Sequence, residues 1–168
     1  EAAEVDYKLG DQIVFGRYPM SEDGEVEPIV WQVFCPYYDE GQIQLISRDI
    51  LDAHAFWEDK QTPPENIWWA DSALATWLNR EFLRVAFTEE EQERIFVETN
   101  ENPEHDPYKT SSGRTTVDRV SVLSQEEANS LFTTVAERMA APTAYAKAQG
   151  AFISDSHKPS NGGEPTCW

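Results

Sequence analysis

WWADSALATWLNREFLRVAF, residues 68–87, is the stretch whose reading decides the fold class of this chain. Leu74, Trp77, Leu78, Phe82 and Val85 recur at steps of three and four, which places them on one stripe of an amphipathic helix facing a core. Asp71 and Ser72 stand where an N-cap belongs. Either side-chain oxygen can accept a hydrogen bond from an otherwise unpaired backbone N–H of the first turn. The block is structure first, with Trp77, Leu78 and Phe82 as core anchors. Only its leading edge, Trp68 and Trp69, lies ahead of the cap.

Upstream of the block the apolar residues follow a strand pattern. Residues 12–15 are short and β-prone, and Gly16 is expected to stop them. The acidic stretch 21–27 reads as a hairpin loop. Pro28 then introduces a second strand, Ile29-Val30-Trp31-Gln32-Val33-Phe34, which Pro36 is expected to end, and Asp39-Glu40-Gly41 turns into a third strand over residues 42–47. Downstream, Thr88 followed three residues later by Glu91 is a capping box that opens a second helix, and Ser124 with Glu127 repeats it ahead of a helix reaching about Phe132. Residues 100–116 lack periodicity and read as a long exposed loop. Residues 117–123 read as a β-branched strand, and residues 143–149 as a last helix with Gly150 at its C-cap. Residues 154–165 read as loop. With no repeat and no linker, residues 1–168 read as one α+β domain.

The 168 residues carry 13 Lys plus Arg against 31 Asp plus Glu, a formal net charge of -18. Phosphate backbones and anionic membrane surfaces repel such a chain, because both bind by neutralisation with Lys and Arg. Nucleic acid and direct membrane binding are thereby disfavoured, and the acidic excess reads first as a solvated surface. No apolar run approaches the length needed to cross a bilayer. Cys35 and Cys167 lie far apart and make no disulfide framework, so they read as two unrelated thiols rather than a bridge.

The order of short motifs adds a resemblance. These are Val14-Phe15-Gly16-Arg17-Tyr18, Pro28-Ile29-Val30-Trp31-Gln32-Val33, Leu45-Ile46-Ser47 with Ile50-Leu51-Asp52, Ser72-Ala73-Leu74-Ala75-Thr76-Trp77-Leu78-Asn79 with Phe82, Asp118-Arg119-Val120-Ser121-Val122-Leu123-Ser124 with Glu127, and Thr143-Ala144-Tyr145-Ala146. In this order they resemble bacterial domain-of-unknown-function family 6273, whose members look like distant relatives of the C-type-lectin-like fold shared with formylglycine-generating enzymes. The resemblance implies a lectin-like antiparallel sheet with peripheral helices, and structural roles for Trp31, Ser72, Trp77, Leu78, Asn79, Phe82, Asp118 and Ser124. The chain departs from the family pattern at Ala75, where Arg is usual, and at Ser121, where an apolar aromatic is usual. The pattern also continues past the position of Trp168, so the strands that complete a lectin-like sheet are expected from a following segment or by pairing with another chain.

Few residues suggest chemistry. His54, His105 and His157 have no HExxH spacing and read as surface or structural histidines. Ser124 lacks the glycine-flanked elbow of a hydrolase nucleophile and reads as a cap. No cofactor is expected from the residues themselves. Calcium, carried by many lectin-like folds, would need several converging oxygens. Glu22, Asp23, Glu25 and Glu27 in the first loop are the metal candidates, followed by Glu98, Glu101, Glu104 and Asp106. The relation to formylglycine-generating enzymes implies an alternative, a metal-dependent enzyme with copper on Cys35 and Cys167.

Phe56, Trp57, Trp68 and Trp69 flank a polar loop and do not all fit one buried stripe. They either fill the core under that loop or offer flat rings for stacking on a ligand. The second reading predicts at least one of them exposed beside a groove. Taken together, the sequence reads as a non-catalytic recognition module for a protein or carbohydrate, displayed outside a bacterial cell, with an enzyme or a structural accessory domain as the alternatives.

Overall fold

The computed structural model describes residues 6–39, 41–58, 68–102 and 113–153. In chain order its elements are strands β1 (Gln12–Pro19), β2 (Val26–Asp39) and β3 (Gln42–Ser47), helical segments α1 (Ala73–Trp77), α2 (Leu83–Ala86) and α3 (Glu89–Arg94), strands β4 (Glu98–Asn100) and β5 (Thr116–Asp118), and helices α4 (Gln125–Leu131) and α5 (Ala144–Ala148). Antiparallel sheets with a few short helices make the chain α+β. It forms two compact units, residues 1–53 with 123–168, and residues 54–122. No helix among the described residues is long and apolar enough to cross a membrane.

The first unit is built on the meander β1-β2-β3. Two strand ends differ from expectation. Strand β1 passes through Gly16 to Pro19, because Gly16 takes φ 73° where the register shifts between Val14 and Arg17. Glycine reaches that left-handed conformation without a Cβ clash, so the extra residue is absorbed as a bulge and the strand goes on. Strand β2 likewise passes Pro36. The proline lies beyond Gln32, the last position paired to β1, and inside the irregular stretch between Cys35 and Asp39, where its missing N–H breaks no regular ladder.

Ile29 and Val33 of β2 are fully buried, and Tyr18, Met139, Ala140 and Ala146 are buried in the same unit. The Tyr18 hydroxyl donates to Asp52 Oδ2 at 2.5 Å, while the Tyr145 ring meets the Tyr18 ring edge-on at 5.8 Å. Burial pushes the Tyr18 phenol far above the usual tyrosine range, and the hydrogen bond to Asp52 and the charge on Asp52 push it further. Helix α4 opens with the Ser124–Glu127 capping box. Thr143 caps α5 by accepting from the Ala146 N–H, and Gly150, at φ 99°, closes the other end.

In the second unit the block at 68–87 is not one uniform helix. A 3-10 turn (Trp69–Asp71) precedes α1, and a π turn (Leu78–Phe82) separates α1 from α2. The extra residue of a π turn moves every later position on by one. Leu83 and Ala86 therefore inherit the core face, and Val85, expected on the apolar stripe, is 51% exposed. The cause lies in Asn79, whose Nδ2 donates to the Ala75 carbonyl at 3.1 Å and to the Val120 carbonyl at 2.8 Å. A side chain that bonds the carbonyl four residues back competes with the helix ladder. Phe82 packs against Trp77 at 5.5 Å and against Phe87 at 5.8 Å, and Thr88 with Glu91 forms the capping box of α3.

The long region expected as a loop is bounded by a hairpin pair, β4 and β5, with Asn100 opposite Thr116. Residues 103–112 lie outside the described residues. Strand β5 stops at Asp118 instead of running to Leu123, since the Val120 N–H and carbonyl are taken by the Asn79 side chain and not by a neighbouring strand.

Candidate functional site

The N-terminus of α1 lies on an open concave surface of the second unit. Ser72 is fully buried and its Oγ accepts from the Ala75 N–H at 3.0 Å while donating to the Trp69 carbonyl at 2.9 Å. That cap fixes where the helix starts, and steps of four from it place Thr76 and Arg80 along one face, with Trp77 and Glu81 beside them. The segment before it is tied on by the Ala73 N–H, which donates to the Phe56 carbonyl at 3.0 Å. The His54 imidazole stacks on the Trp77 indole with centroids 3.7 Å apart. Between these pieces lies an open groove of about 510 Å³, lined by Trp57, Glu58, Asp71, Ser72, Ala73, Thr76, Trp77, Arg80 and Glu81.

The polar atoms along this groove are engaged unequally. Asp71 is ion-paired with Arg114, and Glu81 with Arg84 at 2.7 Å. The Arg80 and Glu58 side chains are exposed and have no hydrogen-bond or ion-pair partner among the described residues. The Trp57 ring is half-buried, and its Nε1, fully buried, meets no acceptor among the described residues. A buried donor without an acceptor costs about 1–3 kcal/mol, which makes it an unusual feature to find on a groove wall.

The other three aromatic candidates sit differently. Phe56 is 39% exposed, and its ring is tilted against Trp69 at 6.4 Å. Trp69 is half-buried and donates its Nε1 to Asp118 Oδ2 at 2.9 Å, so its polar handle is committed to the interior. Trp68 packs where a Cβ on Gly113 would come within 3.3 Å of the Trp68 Cβ. Of the four, Trp57 lines the groove, and Phe56 reaches it through the backbone bond to Ala73.

Asp118, only 8% exposed, is the hub of a separate polar cluster. Its carboxylate accepts from Trp69 Nε1, from Asn100 Nδ2 at 2.8 Å, from Thr116 Oγ1 at 2.6 Å and from Asn79 Nδ2 at 3.3 Å. The Asn79 Oδ1 in turn accepts from the N–H groups of Arg119 and Val120. Four donors on one buried carboxylate satisfy its lone pairs and hold strand β5, the π turn and the 3-10 turn together. The cluster is a structural brace.

Glu22, Asp23, Glu25 and Glu27 are exposed on the β1–β2 hairpin, where Ser21 organises the turn by accepting from the Glu25 N–H at 2.9 Å. No three His, Cys, Asp or Glu side chains converge as a metal-ion group among the described residues. The Cys35 thiol is free and half-buried. Trp31 donates its Nε1 to the Phe15 carbonyl at 2.7 Å, inside the sheet. Glu104, His105, Asp106, His157, Cys167 and Trp168 lie outside the described residues.

Sequence reasoning missed Arg80, Glu58 and Thr76. The signal for two of them was present: Thr76 and Arg80 follow the Ser72 cap at steps of four, opposite the apolar stripe. Glu58 carries no such periodic mark.

A family model described as a domain of unknown function, DUF6273, matches residues 40–162. The chain belongs to this family. The groove residues, Asn79 and Asp118 all fall within the matched DUF6273 span, whereas β1 and β2, with the hairpin carboxylates, precede it. No curated protein and no solved structure matches the chain.

Proposed function

We propose that this chain is a non-catalytic recognition module, with its ligand site in the groove between Trp57 and α1. The reading that it is C-type-lectin-like, bacterial, and displayed on the cell surface or secreted belongs to the same proposal, and rests on the order of sequence motifs. The observation that carries the functional part is the groove itself, lined by the Trp57 indole and by a helix surface bearing a guanidinium, with a carboxylate beside it, both unengaged among the described residues. Aromatic rings bury large area at small entropic cost, and loose polar groups beside them fix orientation, a division of labour found in ligand sites generally. Hydrolytic machinery would need a nucleophile and a base held together. Ser72, the buried hydroxyl on the groove, is instead committed to capping α1.

The test is a screen of the full chain against immobilised glycans and surface proteins, with Trp57→Ala as the matched control. Saturable binding that is lost in the variant supports the proposal. Binding equal in both proteins, or turnover of a peptide substrate without binding, refutes it.

A further inference from the structure

Charge around the groove differs from charge on the chain. The lining carboxylates are Glu58, Asp71 and Glu81, and Arg114 pairs with Asp71 while Arg84 pairs with Glu81. With Arg80 the local count is three acids against three bases, so the described rim is electrically balanced on a chain of net charge -18. A groove built for a cationic peptide would keep its carboxylates unneutralised, and one built for an anion would need surplus guanidinium to overcome the field of the whole molecule.

From this balance we infer that the groove takes an uncharged saccharide and does so without a metal ion, an inference that rests on the recognition reading above. A pyranose ring offers a C–H face to the Trp57 indole and hydroxyls to planar polar groups. Arg80 supplies donors in a rigid fork, Glu58 supplies acceptors, and both are unengaged among the described residues. The Trp57 Nε1, without an acceptor among the described residues, is a further donor for a hydroxyl oxygen once the ring adjusts to its ligand. A hard cation wants several free oxygens converging, and two of the three rim carboxylates are already held by guanidinium groups. The hydrogen bonding is therefore direct.

The full chain is titrated calorimetrically with short neutral oligosaccharides of the gluco, xylo, manno and chito series, with oligogalacturonate and oligolysine as charged comparators, each with and without chelator. The expected result is saturable binding of at least one neutral series, unchanged by chelator and nearly unchanged by salt. Arg80→Ala and Glu58→Gln, both at exposed positions, should each weaken it roughly tenfold, the loss of one charge-assisted hydrogen bond. Trp57→Ala should abolish it, with circular dichroism and the unfolding midpoint confirming that the variant is folded. Binding of oligolysine or oligogalacturonate alone, abolished by Trp57→Ala, overturns the saccharide inference and leaves the recognition reading standing. So does saccharide binding that disappears with chelator. Silence across the whole panel, or binding indifferent to all three substitutions, overturns the inference as well, and only the second of these also removes the groove as the recognition site.

Discussion

Two polar clusters in the second unit start from neighbouring residues of one π turn and come to opposite ends. Asn79 turns inward to the Asp118 cluster, where four donors meet a carboxylate that is only 8% exposed. Arg80 lines the groove, where neither its guanidinium nor the Glu58 carboxylate has a partner among the described residues. Residue type does not distinguish them, since both clusters mix Asp or Glu with Trp and Thr. What differs is how completely each polar atom is engaged. A saturated buried network specifies one arrangement of backbone, and an unsaturated exposed one is free to meet a ligand. The two clusters should therefore respond to substitution in opposite ways.

The largest stability effect should come from the saturated side. Asp118→Ala leaves the Trp69, Asn100 and Thr116 donors without an acceptor in the interior, while Asn79 keeps the Ala75 and Val120 carbonyls, and it should destabilise the chain by about 3–5 kcal/mol in a denaturant titration. A loss under 1 kcal/mol, on the scale of an ordinary surface change, would show that water replaces the carboxylate and that the cluster is no brace. Asn79→Ala comes next. It strands the Arg119 and Val120 N–H groups and the Val120 carbonyl, while the Ala75 carbonyl keeps the Leu78 N–H, for a net cost of about 2–3 kcal/mol. Ser72→Ala removes the cap bond from the Ala75 N–H and the hydroxyl's bond to the Trp69 carbonyl, and should cost about 1–2 kcal/mol by the same measurement.

The first unit offers a pH counterpart. The Tyr18 phenol, buried and hydrogen-bonded to Asp52, stays protonated far above the ordinary tyrosine value of about 10. Unfolding releases it to ionise there. Its contribution is fully present below that ordinary value and declines as pH rises above it, because only the unfolded state then loses the proton. Thermal midpoints measured across the alkaline range should fall, and Tyr18→Phe should flatten that fall relative to the parent chain. An identical alkaline slope in the variant would assign the effect to other groups.

These contrasts also explain what the sequence could reveal. Capping boxes are local, so Thr88 with Glu91 and Ser124 with Glu127 were readable three residues apart. The meander was readable because β-branched runs and turn residues lie side by side along the chain. The bulge at Gly16 was not, since a glycine that ends a strand and one that bends it look alike until the partner register is known. The π turn was invisible for a stronger reason: its cause, the bond from Asn79 to Val120, spans 41 residues. The groove was half legible. Trp57 stood out by composition, but which aromatic would face a groove and which would brace Asp118 depends on that same distant contact, and Arg80 looked like any other helix-surface charge.

The smallest stability effect is the sharpest test of the comparison. Arg80 is exposed and has no partner among the described residues, so its removal forfeits no ion pair and strands no buried atom. It lies within the π turn, where Arg and Ala both have good helix propensity. Arg80→Ala should change the unfolding free energy by less than about 0.5 kcal/mol. The result becomes informative beside Arg114→Ala, which deletes an ion pair to Asp71 from the same groove. That pair is exposed, with side chains 69% and 41% accessible, so the loss should be only about 0.2–1 kcal/mol, and smaller still at high salt. If instead Arg80→Ala costs as much stability as Asn79→Ala, its guanidinium holds the fold in solution. The distinction between the inward and outward faces of the π turn then fails, together with the argument that Arg80 is kept for a ligand.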